Sequence, residues 1–214
     1  MPDPILAVGV AILVPTQVHS AASLLNEQLS PTLRFDSSHL PHITLLQQFM
    51  AGGNLSRAQA ALERIATPLG PFPIHVTWIR AQRFDDDTHV VYWEIERSEP
   101  LTLLHNRVSA AFASLARAGN GESFFNEESR SIRASTIKYV EEFRRKYAGD
   151  NFEPHLTLGF GDRDLRQAPF SWTADRVAIC HLGELNTCRR VLYEQRLRAR
   201  VRQSSGRRQA KQSV

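Results

Sequence analysis

One five-residue pattern is written twice in this 214-residue chain: Pro41-His42-Ile43-Thr44-Leu45 and Pro154-His155-Leu156-Thr157-Leu158, with the histidines 113 positions apart. At background amino-acid usage a second copy would arise in well under about one chain in a thousand. The repetition therefore constrains the fold before any other feature does. On an extended strand, residues i and i+2 share a face. His42 and Thr44 then project together while Ile43 and Leu45 turn into packing, and His155 and Thr157 do the same over Leu156 and Leu158.

The surroundings of the pattern repeat as well. Residues 5–14 are continuously apolar, as expected of a strand covered on both faces. Val18, Ala21, Ala22, Leu25 and Leu29 then recur at helical spacing, and a loop delivers the first motif strand at about 42–49. The second half runs in the same order: a strand over 88–96, a helix over 99–118, and the second motif strand at about 154–161. Ser98 is placed as N-cap of that helix, with Pro100 in its first turn and Gly119 as its stop. An insertion at about 119–150 precedes the second motif; it holds a basic helix and the pair Phe124-Phe125, which reads as exposed.

Between the halves, Leu55, Ala58, Leu62, Ile65 and Leu69 mark a further helix, and a strand from Pro73 returns through an Asp85-Asp86-Asp87 turn. Two strands, near 175–185 and 189–201, close the chain. This order predicts an α+β fold of two lobes about a pseudo-twofold axis. Antiparallel-rich sheets line a central groove and the helices lie outside. One domain is expected over residues 1–202, with a basic, disordered tail over 203–214.

Composition narrows the function classes. Only two cysteines, Cys180 and Cys188, are present without a CxxC pair, which argues against a disulfide framework and a cysteine-based zinc site. The apolar run near the N-terminus is too short to cross a bilayer and has no basic leader, so an intracellular, cytoplasmic protein with no membrane partner is expected. The net charge of +4 is uneven: residues 189–214 hold nine Arg or Lys against one acid, Glu194, leaving 17 bases and 21 acids elsewhere. Such a tail can attract a polyanion or be a solvated extension.

Two imidazoles and two hydroxyls meeting across a groove suit displacement at phosphorus. The ordinary imidazole pKa lies near 6.5, so one ring can take a proton from the attacking oxygen while the other gives one to the leaving oxygen. Threonine hydroxyls can hold the non-bridging oxygens as charge builds there. The scheme needs no metal or other cofactor, and threonine is a poor partner for a histidine metal site. No phosphate-cradling Gly-rich loop points to ATP use.

With both motifs in view, the chain resembles the two-histidine (2H) phosphoesterase superfamily, whose members carry paired His-x-(Thr/Ser)-apolar motifs on duplicated lobes. His42 to Leu45 and His155 to Leu158 match at every defining position. The resemblance extends over about residues 5–200 in organisation, and its specific motifs are eight residues. It implies His42 and His155 as the acid/base pair and Thr44 and Thr157 as phosphate ligands, with RNA ends, oligonucleotides or cyclic nucleotides as partners. The implied activity is above all opening of 2′,3′-cyclic phosphates, as in the RNA cyclic phosphodiesterases first described as 2′-5′ RNA ligases. Cleavage of 2′-5′ or 3′-5′ linkages is the alternative within the family. An RNA-binding module with weak catalysis and an RNA-joining enzyme are the rival readings. Which histidine is the base stays open.

Other residues carry weaker signals. His39 lies three positions before His42 and can reach the groove or be solvated, whereas His105 reads as a satisfied, partly buried helix residue. His75, His89 and His181 lie on predicted strands without a partner motif. Phe35, Phe49, Phe124, Phe125, Tyr139 and Phe160 are candidate stacking platforms for a base, and Arg130, Arg133 and Lys138 candidate phosphate contacts. The segment from Arg196 to Arg202 alternates Arg with Leu197, Ala199 and Val201, so as a strand it would present an arginine face.

Overall fold

The computed structural model describes residues 3–83, 89–126 and 131–198. Among these residues nine strands and four α-helices follow in the order β1 (Ile5–Leu13), α1 (Thr16–Asn26), β2 (His42–Ala51), α2 (Leu55–Ala66), β3 (Phe72–Arg83), β4 (His89–Ile95), α3 (Glu99–Phe112), β5 (Ala116–Arg117), α4 (Ala134–Lys146), β6 (His155–Phe160), β7 (Phe170–Ala174), β8 (Arg176–Leu182) and β9 (Cys188–Arg196). They form two antiparallel sheets, ordered β5-β2-β1-β8-β9 and β6-β4-β3-β7. The α+β, two-lobed architecture expected from the repeat is what the chain adopts. Unit β1-α1-β2 builds the centre of the first sheet and β4-α3-β6 the corresponding part of the second. Among the described residues no helix is long and apolar enough to cross a membrane.

The two motif strands share a defect at the same position. In β2, Thr44 pairs with Ala11 and Leu46 with Val10, so Leu45 is an extra, bulged residue. In β6, Thr157 pairs with Tyr92 and Gly159 with Val91, so Leu158 is bulged. A bulge leaves ladder groups unpaired, and both leucines are fully buried, where an unpaired carbonyl is costly. Each carbonyl is satisfied by the helix of the opposite unit. Asn26 on α1 donates its Nδ2 to Leu158 O at 2.7 Å, and His105 on α3 donates its Nδ1 to Leu45 O at 2.7 Å. Gly159, at φ +152°, is the residue that permits this approach: a Cβ there would lie 3.1 Å from Asn26 Nδ2.

Both anchors are fully committed. Asn26 also donates to Leu33 O and accepts from the Phe35 N–H. The His105 Nε2 accepts from the Gly149 N–H, which fixes the neutral tautomer, and its ring stacks on Phe152 at 3.9 Å. Burial keeps that imidazole below its ordinary pKa. His105, expected as a satisfied and partly buried helix residue, is satisfied but fully buried, and its partner Leu45 O lies on the other lobe.

Several sequence expectations need correction. The helix expected over 99–118 ends at Phe112, because Ala116 and Arg117 leave it to pair with the edge of β2. Ser98 holds the N-cap position without a side-chain capping bond. Phe124 is buried rather than exposed, packing edge-on against Phe49. Strand β7, a short edge strand of five residues, has no counterpart among the expected elements. Cys180 and Cys188 form a disulfide, because the β8–β9 hairpin pairs Leu182 with Cys188 and folds the two sulfurs together. Strand β9 ends at Arg196 and Leu197 is buried beyond it; the expected arginine face from residue 199 onward, the Asp85-Asp86-Asp87 turn, Arg130 and the tail lie outside the described residues.

Replacing Asn26 by Leu leaves the buried Leu158 carbonyl and the half-buried Phe35 N–H without their partner, while the Leu33 carbonyl keeps the Arg34 guanidinium at 3.5 Å. At about 1–3 kcal/mol for each unmet group, a loss of about 2 kcal/mol or more in unfolding free energy is expected by urea titration. A loss below about 1 kcal/mol would show that the Leu158 carbonyl finds another partner.

Candidate active site

The two motif strands face each other across a groove of about 270 Å³, and His42, Thr44, His155 and Thr157 all line it. All four are half-buried, each flanked by fully buried neighbours on its strand. The convergence expected from the repeat is therefore realised.

The proline of each motif explains the orientation of the following imidazole. A residue before proline is confined to extended conformations, and proline fixes its own φ. The carbonyl two positions before each histidine is thereby turned back onto the ring. His42 Nδ1 lies 2.8 Å from Leu40 O, and His155 Nδ1 lies 2.8 Å from Glu153 O. A carbonyl only accepts, so both Nδ1 atoms carry hydrogen and donate. In the neutral ring Nε2 is then the free lone pair. The Leu40 segment is itself pinned by its N–H to Cys188 O at 3.2 Å, and the Pro154 carbonyl accepts from the Ile95 N–H.

The two imidazoles differ electrostatically. Burial lowers the pKa of His42, against the bond to Leu40 O, and the charge of His155 lowers it further. Burial also lowers His155, but there the bond to Glu153 O and the Glu153 carboxylate both push upward. Of the two rings, His155 has the neighbour that favours its proton, while His42 has one that disfavours it.

The far wall comes from the segment between α3 and β6 and from the turn between β8 and β9. Helix α4 contributes Ser135, Thr136 and Tyr139, and the turn contributes Leu185, Asn186 and Thr187. Glu184 joins the two: its carboxylate accepts from the Arg133 N–H at 3.0 Å and the Thr136 hydroxyl at 3.1 Å, and pairs with the Arg133 guanidinium at 3.0 Å. Leu185 and Asn186 both hold positive φ, 60° and 58°, a conformation that is uncommon for leucine and occurs at sites where surrounding structure enforces it. At its other end α4 is held by Arg144, which donates to Gln48 Oε1 and to Ser109 O.

The remaining candidates sort clearly. His39 lies in the groove wall beside Asp36, and Phe35, Tyr139 and Phe160 also line it. Phe49 and Phe124 are core, and Phe125 packs against His181. Arg133 is at the groove but paired with Glu184, while Lys138 is exposed on α4 and does not line it. His75 bonds Ser171 and His181 bonds Ser123 O, so both are structural; His89 only opens β4. Sequence reasoning missed Gln47, Asn186 and Thr187, which enter the groove through the bulge and the turn rather than through any motif. Among the described residues no three His, Cys, Asp or Glu side chains are grouped to hold a metal ion.

Comparison with known proteins agrees with this geometry. A search of curated proteins finds no match. Solved structures do match: TT0787 of Thermus thermophilus superposes with a TM-score of 0.58 at 18% identity, over 91% of this chain and 100% of that one. Escherichia coli LigT complexed with phosphate gives 0.56 at 15% identity, over 91% and 99%. LigT complexed with 3′-AMP gives 0.52 at 15%, over 92% and 99%. The family model for the 2′-5′ RNA ligase superfamily matches residues 21–183, which include both motifs. With both His-x-Thr strands in one groove and that match across three quarters of its length, the chain belongs to the 2′-5′ RNA ligase superfamily of two-histidine phosphoesterases.

Proposed function

We propose that the protein is a metal-independent phosphodiesterase that opens 2′,3′-cyclic phosphates at RNA ends or on nucleotides, with His42 and His155 as its acid/base pair. The observation that carries this reading is the pair of imidazoles in one groove, each with Nδ1 committed to a backbone carbonyl and Nε2 left for chemistry. A ring so held can transfer a proton at one atom only, and the two rings come from opposite lobes. LigT, which shares this fold, is complexed in its structures with phosphate, 3′-AMP and ATP, and this supports a nucleotide-like substrate.

The electrostatic difference between the rings supports a division of roles. His42, disfavoured as a cation, is the base; His155, supported by Glu153, is the acid. Water attacks phosphorus as His42 Nε2 takes its proton. The bond from phosphorus to one ribose oxygen breaks, and His155 Nε2 protonates that oxygen. The product is a phosphomonoester, and proton exchange with solvent restores the resting pair. Thr44 and Thr157 hold the non-bridging oxygens, where their hydrogen bonds strengthen as charge accumulates.

Turnover of 2′,3′-cyclic nucleotides in EDTA tests the scheme. His42→Ala and His155→Ala are each expected to lower kcat/KM by about 10²–10⁴, and Thr44→Val or Thr157→Val by about tenfold or more. Activity that needs a divalent ion, or survives either histidine substitution, would contradict it. If the wild type is inert on cyclic phosphates but cleaves 2′-5′ or 3′-5′ oligonucleotides, the same pair serves attack by a neighbouring hydroxyl. RNA binding with no turnover of either kind would leave a binding module.

The pH profile carries a second prediction. Both rings lie below the ordinary value of 6.5, and kcat/KM reports the free enzyme. The active form has His42 neutral and His155 protonated, so the optimum falls on the acidic side of pH 6.5. Glu153→Gln removes the charge that supports the His155 proton, so the alkaline limb should move to lower pH while the acidic limb stays. An alkaline limb that does not move would remove Glu153 from the account.

A further inference from the structure

The two lobes differ in what surrounds the motif strand on its groove face. In the first sheet, the row that begins at Thr44 continues through Ala11 and Ala178 to Glu194. That face is closed over by apolar packing of Leu13, Ala178 and the Cys180–Cys188 disulfide under Leu40. In the second sheet no described residue closes over the face. His155 pairs with Glu94 and Glu94 with Trp78; Thr157 pairs with Tyr92 and Tyr92 with Arg80. Directly paired residues share a face, so these six side chains form two rows running outward from the groove across β6, β4 and β3.

Contacts between the side chains show the rows to be continuous. The Tyr92 ring lies 5.2 Å from the His155 ring. The Tyr92 hydroxyl donates to Gln82 Oε1 at 3.1 Å, and Arg80 Nε pairs with Glu94 at 2.6 Å. At the outer end stands Trp78, 65% exposed, whereas Trp93 and Trp172 are buried. The bulge at Thr77 places it there: Val76 still pairs with core Ile95, but Trp78 faces Glu94 on the groove side.

A large exposed aromatic side chain, two strand spacings or about 10 Å from a histidine that handles phosphate, is the chemistry of a single-stranded nucleic-acid platform. Resting on the cyclic-phosphodiesterase reading above, we infer that the open face of the second sheet is a track for the RNA strand behind the reacting end, with Trp78 stacking the base next to the terminal nucleotide. The terminal nucleoside occupies the groove between the motif strands. The strand then leaves over the second lobe, because the first is closed on that side. Arg80 is held in place by Glu94, and the neutralised pair makes stacking, not charge, the main source of affinity. The substrate class is then an RNA chain ending in a cyclic phosphate, preferred over a free cyclic nucleotide.

Turnover is compared for a 2′,3′-cyclic mononucleotide and for a five-nucleotide RNA with the same cyclic end, in wild type, Trp78→Ala and Trp78→Phe. Loss of one stacked base should raise KM for the pentanucleotide by about tenfold in Trp78→Ala. Trp78→Phe should keep most of the affinity, and mononucleotide kinetics should stay within about twofold throughout. Unchanged pentanucleotide kinetics in Trp78→Ala, or an equal loss on the mononucleotide, would overturn the track. A reading that needs no turnover is the quenching of tryptophan fluorescence by a pentanucleotide ending in a 3′-phosphate. It should be strong in wild type and lost in Trp78→Ala, and quenching that persists in Trp78→Ala would also overturn the track. If the wild type turns over neither substrate, the cyclic-phosphodiesterase reading falls and the quenching alone decides the track.

Discussion

The groove depends on two hydrogen bonds that cross between the lobes. Each motif strand is bulged at the leucine after its threonine, and each bulged carbonyl is buried. Asn26 satisfies one and His105 the other, both at 2.7 Å, and each reaches from the helix of the opposite unit. An unpaired buried carbonyl costs about 1–3 kcal/mol, so either lobe alone would leave its motif strand with an unmet acceptor. The bonds therefore do more than hold two halves together. They fix each strand one residue beyond the histidine–threonine pair that it carries, which sets the distance and angle at which the two pairs confront each other.

On this symmetric frame the chain builds an asymmetric site. Both imidazoles are oriented by the same Pro-His geometry and donate Nδ1 to the carbonyl two residues back. Their surroundings then diverge. The Glu153 carboxylate sits beside one ring, and the charge of that ring bears on the other. Helix α4 and the strained turn at Leu185 and Asn186 wall the groove, locked together by Glu184. Among the described residues, the first sheet's face is closed by Leu40 and the disulfide, and the second's is left open toward Trp78. A duplicated unit gives two equivalently held imidazoles; departures from the duplication give them different surroundings, and the proposed acid and base roles and the proposed track for the substrate rest on that difference.

Much of this was legible in the sequence because the repeat is local. Five residues in a row specify strand, face and chemistry, and the flanking strand–helix order specifies the lobes. What stayed hidden depends on partners far along the chain. The strict alternation of a strand sends Leu45 and Leu46 to opposite faces, yet both are fully buried, since the bulge shifts the pleat between them. Asn26 gave no signal because its carbonyl partner lies 132 positions away, and the partner of His105 lies 60 away. The disulfide was obscured by a spacing of eight that only a hairpin register closes. Trp78 and Tyr92 carry no local mark in the sequence; their relation to His155 exists only through the register of β3 on β4 and β4 on β6.

The central claim is that two imidazoles, held alike by the backbone, differ in which one keeps its proton. Long-range proton–nitrogen NMR of the histidine rings tests it without any substrate. Assigned through His42→Ala and His155→Ala, both rings should appear as Nδ1–H tautomers when neutral. His42 should lose its proton at a lower pH than His155, with both below 6.5. Nε2–H tautomers, or His42 holding its proton to higher pH than His155, would contradict the account.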